Sequence, residues 1–130
     1  MRSIDAMIPG ISHTDTTAPL YLDFLAELEG QGFKGEISPD YANRVVQSTD
    51  NSIYQLLPQG VLYPAGIEDL MLIARMAAES RFSGIRMSPR GGGTGTNGQS
   101  LTDGLIVDCS RHMNRILEIN AEQRWVRVED

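Results

Sequence analysis

One segment constrains this chain more than any other: Pro89-Arg90-Gly91-Gly92-Gly93-Thr94-Gly95-Thr96-Asn97-Gly98-Gln99. Five of the eight residues from Gly91 to Gly98 are glycine. Without Cβ atoms, a backbone of this kind reaches positive φ and brings successive N–H groups together against an anion. Thr94, Thr96 and Asn97 add hydroxyl and amide donors, and Arg90 offers a planar positive fork suited to phosphate oxygens. Glycine-rich stretches are often only flexible surface loops. Here the apolar runs Ile85-Arg86-Met87-Ser88 and Leu105-Ile106-Val107-Asp108 read as strands that pin both ends. Composition and placement together favour a pyrophosphate cradle running from Arg90 to Gln99.

Two nucleotide-binding patterns nearly match, and both fail on context. Gly93 to Gly98 satisfies G-x-G-x-x-G, but that fingerprint needs a helix opening inside the motif to receive the pyrophosphate. Gln99-Ser100-Leu101-Thr102-Asp103-Gly104 is turn-like and leads into a strand. Gly93 to Ser100 also approaches a Walker A loop, with Gln99 in place of the lysine that reaches the terminal phosphates. A P-loop-like phosphate or nucleotide module remains the alternative function. A second alternative is a non-enzymatic interaction fragment.

Around the loop the chain reads as α/β, of the α+β kind. Residues 1–16 are a polar arm. Pro19 to Glu29 carries Leu20, Phe24 and Leu28 at helical spacing, joined by Tyr21 and Leu25, with Thr17 as N-cap and Gly30 and Gly32 as the stop. A shorter helix from Tyr41 to Gln47 is capped by Ser38 or Asp40, with Pro39 in its first turn. Both helices are expected to form a peripheral layer. Val61-Leu62-Tyr63-Pro64 reads as a strand closed by proline. Gly66 caps a helix whose apolar face is Leu70, Ile73, Ala74 and Ala77, flanked by Met71 and Met76. Strand, helix and strand in succession predict a βαβ unit with a parallel pair and a right-handed crossover. Arg115 to Asn120 and Arg124 to Glu129 read as two further strands. The expected division is residues 1–55, an arm and helical segment, and residues 56–130, a small mixed sheet with one βαβ unit.

Composition removes several functions. The formal net charge is −6, from 11 Lys and Arg against 17 Asp and Glu. A nucleic-acid footprint or polybasic membrane anchor is therefore not expected. The single cysteine, Cys109, permits no internal disulfide and builds no metal or cluster site alone. No run is long and apolar enough for a membrane span, and the N-terminus lacks a signal-peptide core, so the cytoplasm is the expected compartment.

The segment PRGGGTGTNGQ, followed by LIVD and CSRHMNRILEIN, resembles the FAD-linked oxidoreductases of the vanillyl-alcohol oxidase and p-cresol methylhydroxylase superfamily. VLYP and the helix after it resemble that family's opening strand, proline and helix. STDNSIYQLLP is similar to the branch of bacterial D-2-hydroxyglutarate and D-lactate dehydrogenases. The resemblance implies a PCMH-type FAD-binding domain and noncovalent FAD, because Thr94 stands where some relatives carry the histidine that bonds the flavin. It implies that Arg90, Gly91, Gly92, Gly93, Thr94, Gly95, Thr96, Asn97, Gly98 and Gln99 hold the pyrophosphate, with Pro64 near the flavin side. It further implies hydride transfer from a small-molecule 2-hydroxy acid to FAD, and onward passage of electrons to an iron–sulfur cluster in an absent C-terminal part or to another acceptor. Family members are several times longer than this chain, so it reads as an N-terminal fragment, inactive alone, with its catalytic residues elsewhere.

The remaining candidates have plainer readings. Cys109 is a small core residue, His112 a structural or surface histidine, and His13 part of the arm. Asp50 is a capping aspartate and Tyr54 a packed tyrosine, although both fall in the segment resembling the hydroxy-acid branch. Met71, Met76 and Met87 are core filler, and Trp125 is expected between sheet and helix. The last strand leaves an open sheet edge, through which a homo-oligomer can form.

Overall fold

The structure, a computed structural model, describes residues 16–129. The expected arm, including His13, lies almost wholly outside the described residues. Helix α1 spans Pro19–Gly30 and buries Tyr21, Phe24, Leu25 and Leu28, as its four-residue spacing predicts. Thr17 does not cap it. Its hydroxyl donates to the Gln59 carbonyl at 2.7 Å, while Gln59 Oε1 accepts the Ala18 N–H at 2.7 Å. The turn after the helix closes through Gly32 at φ +89°. Phe24 meets Phe82 edge to face, ring centroids 5.0 Å apart. Since Phe24 and Leu28 have no exposed surface, α1 belongs to the central core, which corrects its expected place in a peripheral layer.

A short strand, β1 (Glu36–Ser38), follows, unexpected because Ile37 is its one apolar residue. Helix α2 (Tyr41–Val46) is capped by Asp40, whose Oδ1 accepts the Asn43 N–H at 3.0 Å. Pro39 therefore precedes the cap and is not in the first turn. Strand β2 (Gly60–Tyr63) and strand β4 (Leu105–Asp108) are buried at every position. Between them in sequence come helix α3 (Ile67–Ala77), a 3₁₀ turn at Ser80–Phe82, and strand β3 (Met87–Arg90).

The sheet order is β1-β2-β4-β3. The pair β1 and β2 is antiparallel, while β2 and β3 both run parallel to β4, with Val61 and Ser88 each opposite Ile106. Strands β2 and β3 are parallel and joined through α3, as the βαβ pattern predicts, but β4 lies between them in the sheet. Burial decides the order: the fully buried β4, with its apolar run Leu105-Ile106-Val107, takes an inner place, and Met-Ser-Pro-Arg, with a proline that cannot donate to a ladder, takes an edge.

The inward face of α3 keeps Ile73, with Leu70 and Ala77 partly buried against the core, but is rotated from the one expected. Asp69, Leu72, Ile73 and Met76 are buried, whereas Ala74 and Met71 face solvent. Asp69 sets this rotation, since its carboxylate accepts the N–H of Lys34 at 2.9 Å and of Ala65 at 2.8 Å. The burial of Leu72 and Met76 and two satisfied backbone donors outweigh alanine's small apolar area.

Strands β5 (Ile116–Asn120) and β6 (Trp125–Val128) form a separate antiparallel hairpin. Ile116, Leu117, Ile119, Val126 and Val128 are all exposed, so neither face meets the core. Trp125 stays within the hairpin: its Nε1 donates to Gln123 at 2.9 Å and Arg127 lies over its ring. The expected packing between sheet and helix is not formed. At the hairpin base Arg115 grips Glu129 with two guanidinium donors, at 2.9 and 2.6 Å.

Candidate functional site

Because β2, β4 and β3 are mutually parallel, Tyr63, Asp108 and Arg90 end on the same edge of the sheet. Carboxyl ends of parallel strands are where open α/β sheets receive ligands. The glycine loop leaves this edge at Arg90 and returns to the opposite edge at Leu105 without forming a helix. Both nucleotide-motif readings fail on that ground, as their missing helix requires.

The loop curls around a depression of about 650 Å³, lined by Pro89, Gly91, Gly92, Gly93, Thr94, Gly95, Thr96, Gln99 and Ser100. Most of the predicted collar is thus gathered on one concave wall. Asn97, Gly98, Arg90 and Pro64 are not on it. Pro64 is fully buried just after β2, at the same sheet edge. Another depression of similar size runs along α1 beside Arg81, but there Arg81 is engaged with Glu27 at 3.2 Å and Glu79 at 2.8 Å. It presents no array of backbone donors.

The glycines divide into two kinds. Gly93 and Gly98 have φ of +67° and +75°, conformations that L side chains rarely hold. A Cβ on Gly93 would also strike the Arg90 guanidinium, and one on Gly95 would lie 2.6 Å from the Gln99 carboxamide carbon. These glycines serve the loop's own folding. Gly91 and Gly92 differ: a Cβ on Gly91 would meet nothing within 4 Å, and one on Gly92 only Thr94 Cγ2 at 3.6 Å. Neither has a positive φ. Both line the depression, and the space that their missing side chains leave is open rather than filled by described protein atoms. That is the fit expected of a diphosphate cradle, in which the main chain must approach phosphate oxygens closely.

Arg90 takes a different position from the one expected of a phosphate fork. Its Nη2 donates to the Thr49 carbonyl at 2.9 Å, its guanidinium packs against Gly93, and its buried Nη1 has no hydrogen-bond partner. The side chain braces the loop and sets its positive charge behind the wall. Gln99 folds back within the loop, its Oε1 accepting the Asn97 N–H at 3.1 Å. Its backbone carbonyl accepts from the Ser88 hydroxyl at 3.0 Å.

The segment 49–54 stands against the loop. Asn51 N–H donates to the Gly93 carbonyl at 3.1 Å. Asp50 accepts the Ser52 N–H at 2.8 Å and the Ser100 hydroxyl at 3.1 Å. Its carboxyl is held below the usual carboxylate value, first by Ser52 and then by Ser100 and the Arg90 charge. Tyr54 is largely exposed, its ring beside Gly98. The capping role expected of Asp50 is therefore real, but its reach extends to the cradle.

A polar cluster that sequence reading missed occupies the same sheet edge. Asp108 is buried, accepting from Ser110 N–H at 2.9 Å and from Gln47 Nε2 at 3.1 Å. Arg111 lies 3.6 Å over the Tyr63 ring, and its guanidinium and His112 both contact Glu36 at 2.7 Å. Glu36 is held below its ordinary value by His112 first and Arg111 second. An aspartate closing an apolar strand, with serine two residues on, is the Asx-turn signal that marks this corner. Cys109 is half-buried against the core, as expected. His112 is the surface histidine anticipated.

Comparison with known proteins identifies the family. The family model described as FAD binding domain matches residues 58–130. D-2-hydroxyglutarate dehydrogenase of Escherichia coli (strain K12) is 59% identical over 123 residues, covering 95% of this chain and 12% of that protein. The protein of the same name from Pantoea ananatis (strain AJ13355) is 60% identical over 124 residues, with the same coverage of 95% and 12%. The chain thus spans about 12% of the length of these curated relatives. Among solved structures, an alkyldihydroxyacetonephosphate synthase superposes with a TM-score of 0.67 at 17% identity, over 86% of this chain and 23% of that one. That likeness shows a shared fold and bears out the expected mixed α/β class. Among the described residues no helix is long and apolar enough to cross a membrane. Through its family match over more than half of its length, the chain belongs to the FAD binding domain family.

Proposed function

We propose that this chain is the diphosphate-holding part of an FAD-dependent dehydrogenase that oxidises a D-2-hydroxy acid, D-2-hydroxyglutarate being the first substrate to test. One observation carries the reading: Gly91 and Gly92 line a concave wall at the sheet's carboxyl edge, and no protein atom explains their lack of a side chain. The names of the relatives supply the substrate class.

The backbone of Gly91, Gly92, Gly93, Thr94, Gly95 and Thr96 would hold the diphosphate. Asn97, Gly98 and Gln99 shape the far side of the loop, Arg90 adds charge from behind, and Pro64 stands on the flavin side. Bound FAD supplies the two-electron acceptor. Thr94 offers no nucleophilic imidazole, so attachment is noncovalent. No residue described here is assigned as acid or base. The same reading sets the protein in the cytoplasm, with a small-molecule 2-hydroxy acid and an electron acceptor as partners. It treats residues 56–130 as the start of the FAD-binding unit, and residues 1–55 as the arm, core helix and buttress built onto it.

The test is FAD titration of the full-length protein by fluorescence quenching, then anaerobic addition of each enantiomer of 2-hydroxyglutarate. Saturable FAD binding and bleaching of the oxidised flavin by the D form alone are expected. A full-length protein that binds no FAD overturns the reading. Bleaching by neither enantiomer overturns the substrate assignment.

A further inference from the structure

We infer that Asp50 is a positioning residue of the FAD site, holding the glycine loop in its receptive shape through Asn51 and Ser100. The inference rests on the FAD reading above and adds a residue that lies ahead of the matched domain, which begins at residue 58.

A glycine-rich backbone has too much freedom to stay concave unaided. Each peptide plane can turn over, and a carbonyl turned into the cradle would repel an anion. In a trans peptide the C=O of one residue and the N–H of the next point in opposite directions. Asn51 N–H binds the Gly93 carbonyl at 3.1 Å. It therefore draws that oxygen toward the segment 49–54 and aims the Thr94 N–H the opposite way. Thr94 lies on the wall of the depression.

Asp50 fixes the donor. Its Oδ1 accepts the Ser52 N–H at 2.8 Å, forming a turn with Asn51 in the middle. Its Oδ2 accepts the hydroxyl of Ser100 at 3.1 Å. Ser100 is buried and lies on the same wall, at the end of the loop far from Arg90. One carboxylate thus ties the loop's middle to its far end, while the Thr49 carbonyl holds Arg90 at its start at 2.9 Å. Both carboxylate oxygens have protein donors, and a negative group would not itself approach a phosphate. Asp50 acts through its neighbours.

The experiment compares wild type, Asp50→Ala, Asp50→Asn, Ser100→Ala and the Asp50→Ala/Ser100→Ala double variant, all as full-length protein. FAD dissociation constants are read alongside the melting temperature of the FAD-free form. Asp50→Ala is expected to weaken FAD binding roughly tenfold, the scale of one to two lost hydrogen bonds. Asp50→Asn keeps an acceptor for Ser52 and turns a donor toward the Ser100 oxygen, so it should stay within about threefold of wild type. Ser100→Ala should weaken binding alone but add little to Asp50→Ala. If Asp50→Ala does not fold, Asp50→Asn and Ser100→Ala still decide through affinity at unchanged melting temperature. Unchanged affinity in Asp50→Ala or Ser100→Ala overturns the inference, as does an Asp50→Asn loss equal to that of alanine, or full additivity in the double variant. Wild type that binds no FAD overturns the underlying reading, and this inference with it.

Discussion

Replacing Gly91 or Gly92 by alanine separates what the fold needs from what the ligand needs. A new Cβ at Gly91 meets no atom within 4 Å, and at Gly92 it makes an ordinary contact with Thr94 at 3.6 Å. Neither residue has a positive φ, so alanine adopts the native backbone without strain. Each substitution should leave stability unchanged or raise it by about 0.4–1 kcal/mol, because alanine narrows the unfolded ensemble. On the proposed FAD reading, the methyl group then stands where the diphosphate would come against the main chain. Losing one charge-assisted amide contact costs about 1.5–3 kcal/mol, roughly ten- to hundredfold in Kd. Thermal unfolding of the FAD-free protein and FAD titration measure the two sides. Near-wild-type affinity in both variants would refute the cradle. Marked destabilisation would show that these glycines serve the backbone after all.

Gly93→Ala should instead destabilise the FAD-free protein by about 1–3 kcal/mol, since it forces a side chain onto a left-handed residue against Arg90. Arg90→Ala should lower both melting temperature and FAD affinity, because brace and positive charge leave together; loss of neither contradicts its place behind the wall. Asp69→Ala leaves the buried acceptor of two backbone N–H groups missing and should cost about 2–4 kcal/mol in denaturant unfolding. The lowered pKa of Glu36 makes an acid-side contribution to stability. That contribution is complete above the unfolded glutamate's value of about 4.5 and disappears as pH falls through the depressed folded value. Melting temperature against pH should therefore fall less steeply on the acid side in Glu36→Gln.

The cores of the helices and central strands were readable wherever one residue type dominated a period. Val61-Leu62-Tyr63 and Leu105-Ile106-Val107 could only be buried, and Phe24 and Leu28 could only face inward. Strand β1 was invisible because Ile37 alone gives no period, and its ladder to β2 is non-local. The rotation of α3 depends on Asp69 reaching Lys34, 35 residues away, which no helical wheel shows. The cradle was visible as glycine composition. Which glycines answer to φ, which to Arg90 and which to open space needed coordinates. The buttress was hidden for the same reason: Asp50 and Ser100 are 50 residues apart in sequence, and neither is unusual in its own neighbourhood.

The sheet order carries a consequence for synthesis on the ribosome. Among the described residues strand β3 has β4 as its one partner in the sheet, and β4 is translated only after the fourteen residues 91–104. A nascent chain released or stalled before residue 105 holds a strand with nothing to pair with and a core lacking its middle slat. The four-stranded sheet must wait for its last-made strand to slide between two earlier ones, and the same event pins the far end of the glycine loop.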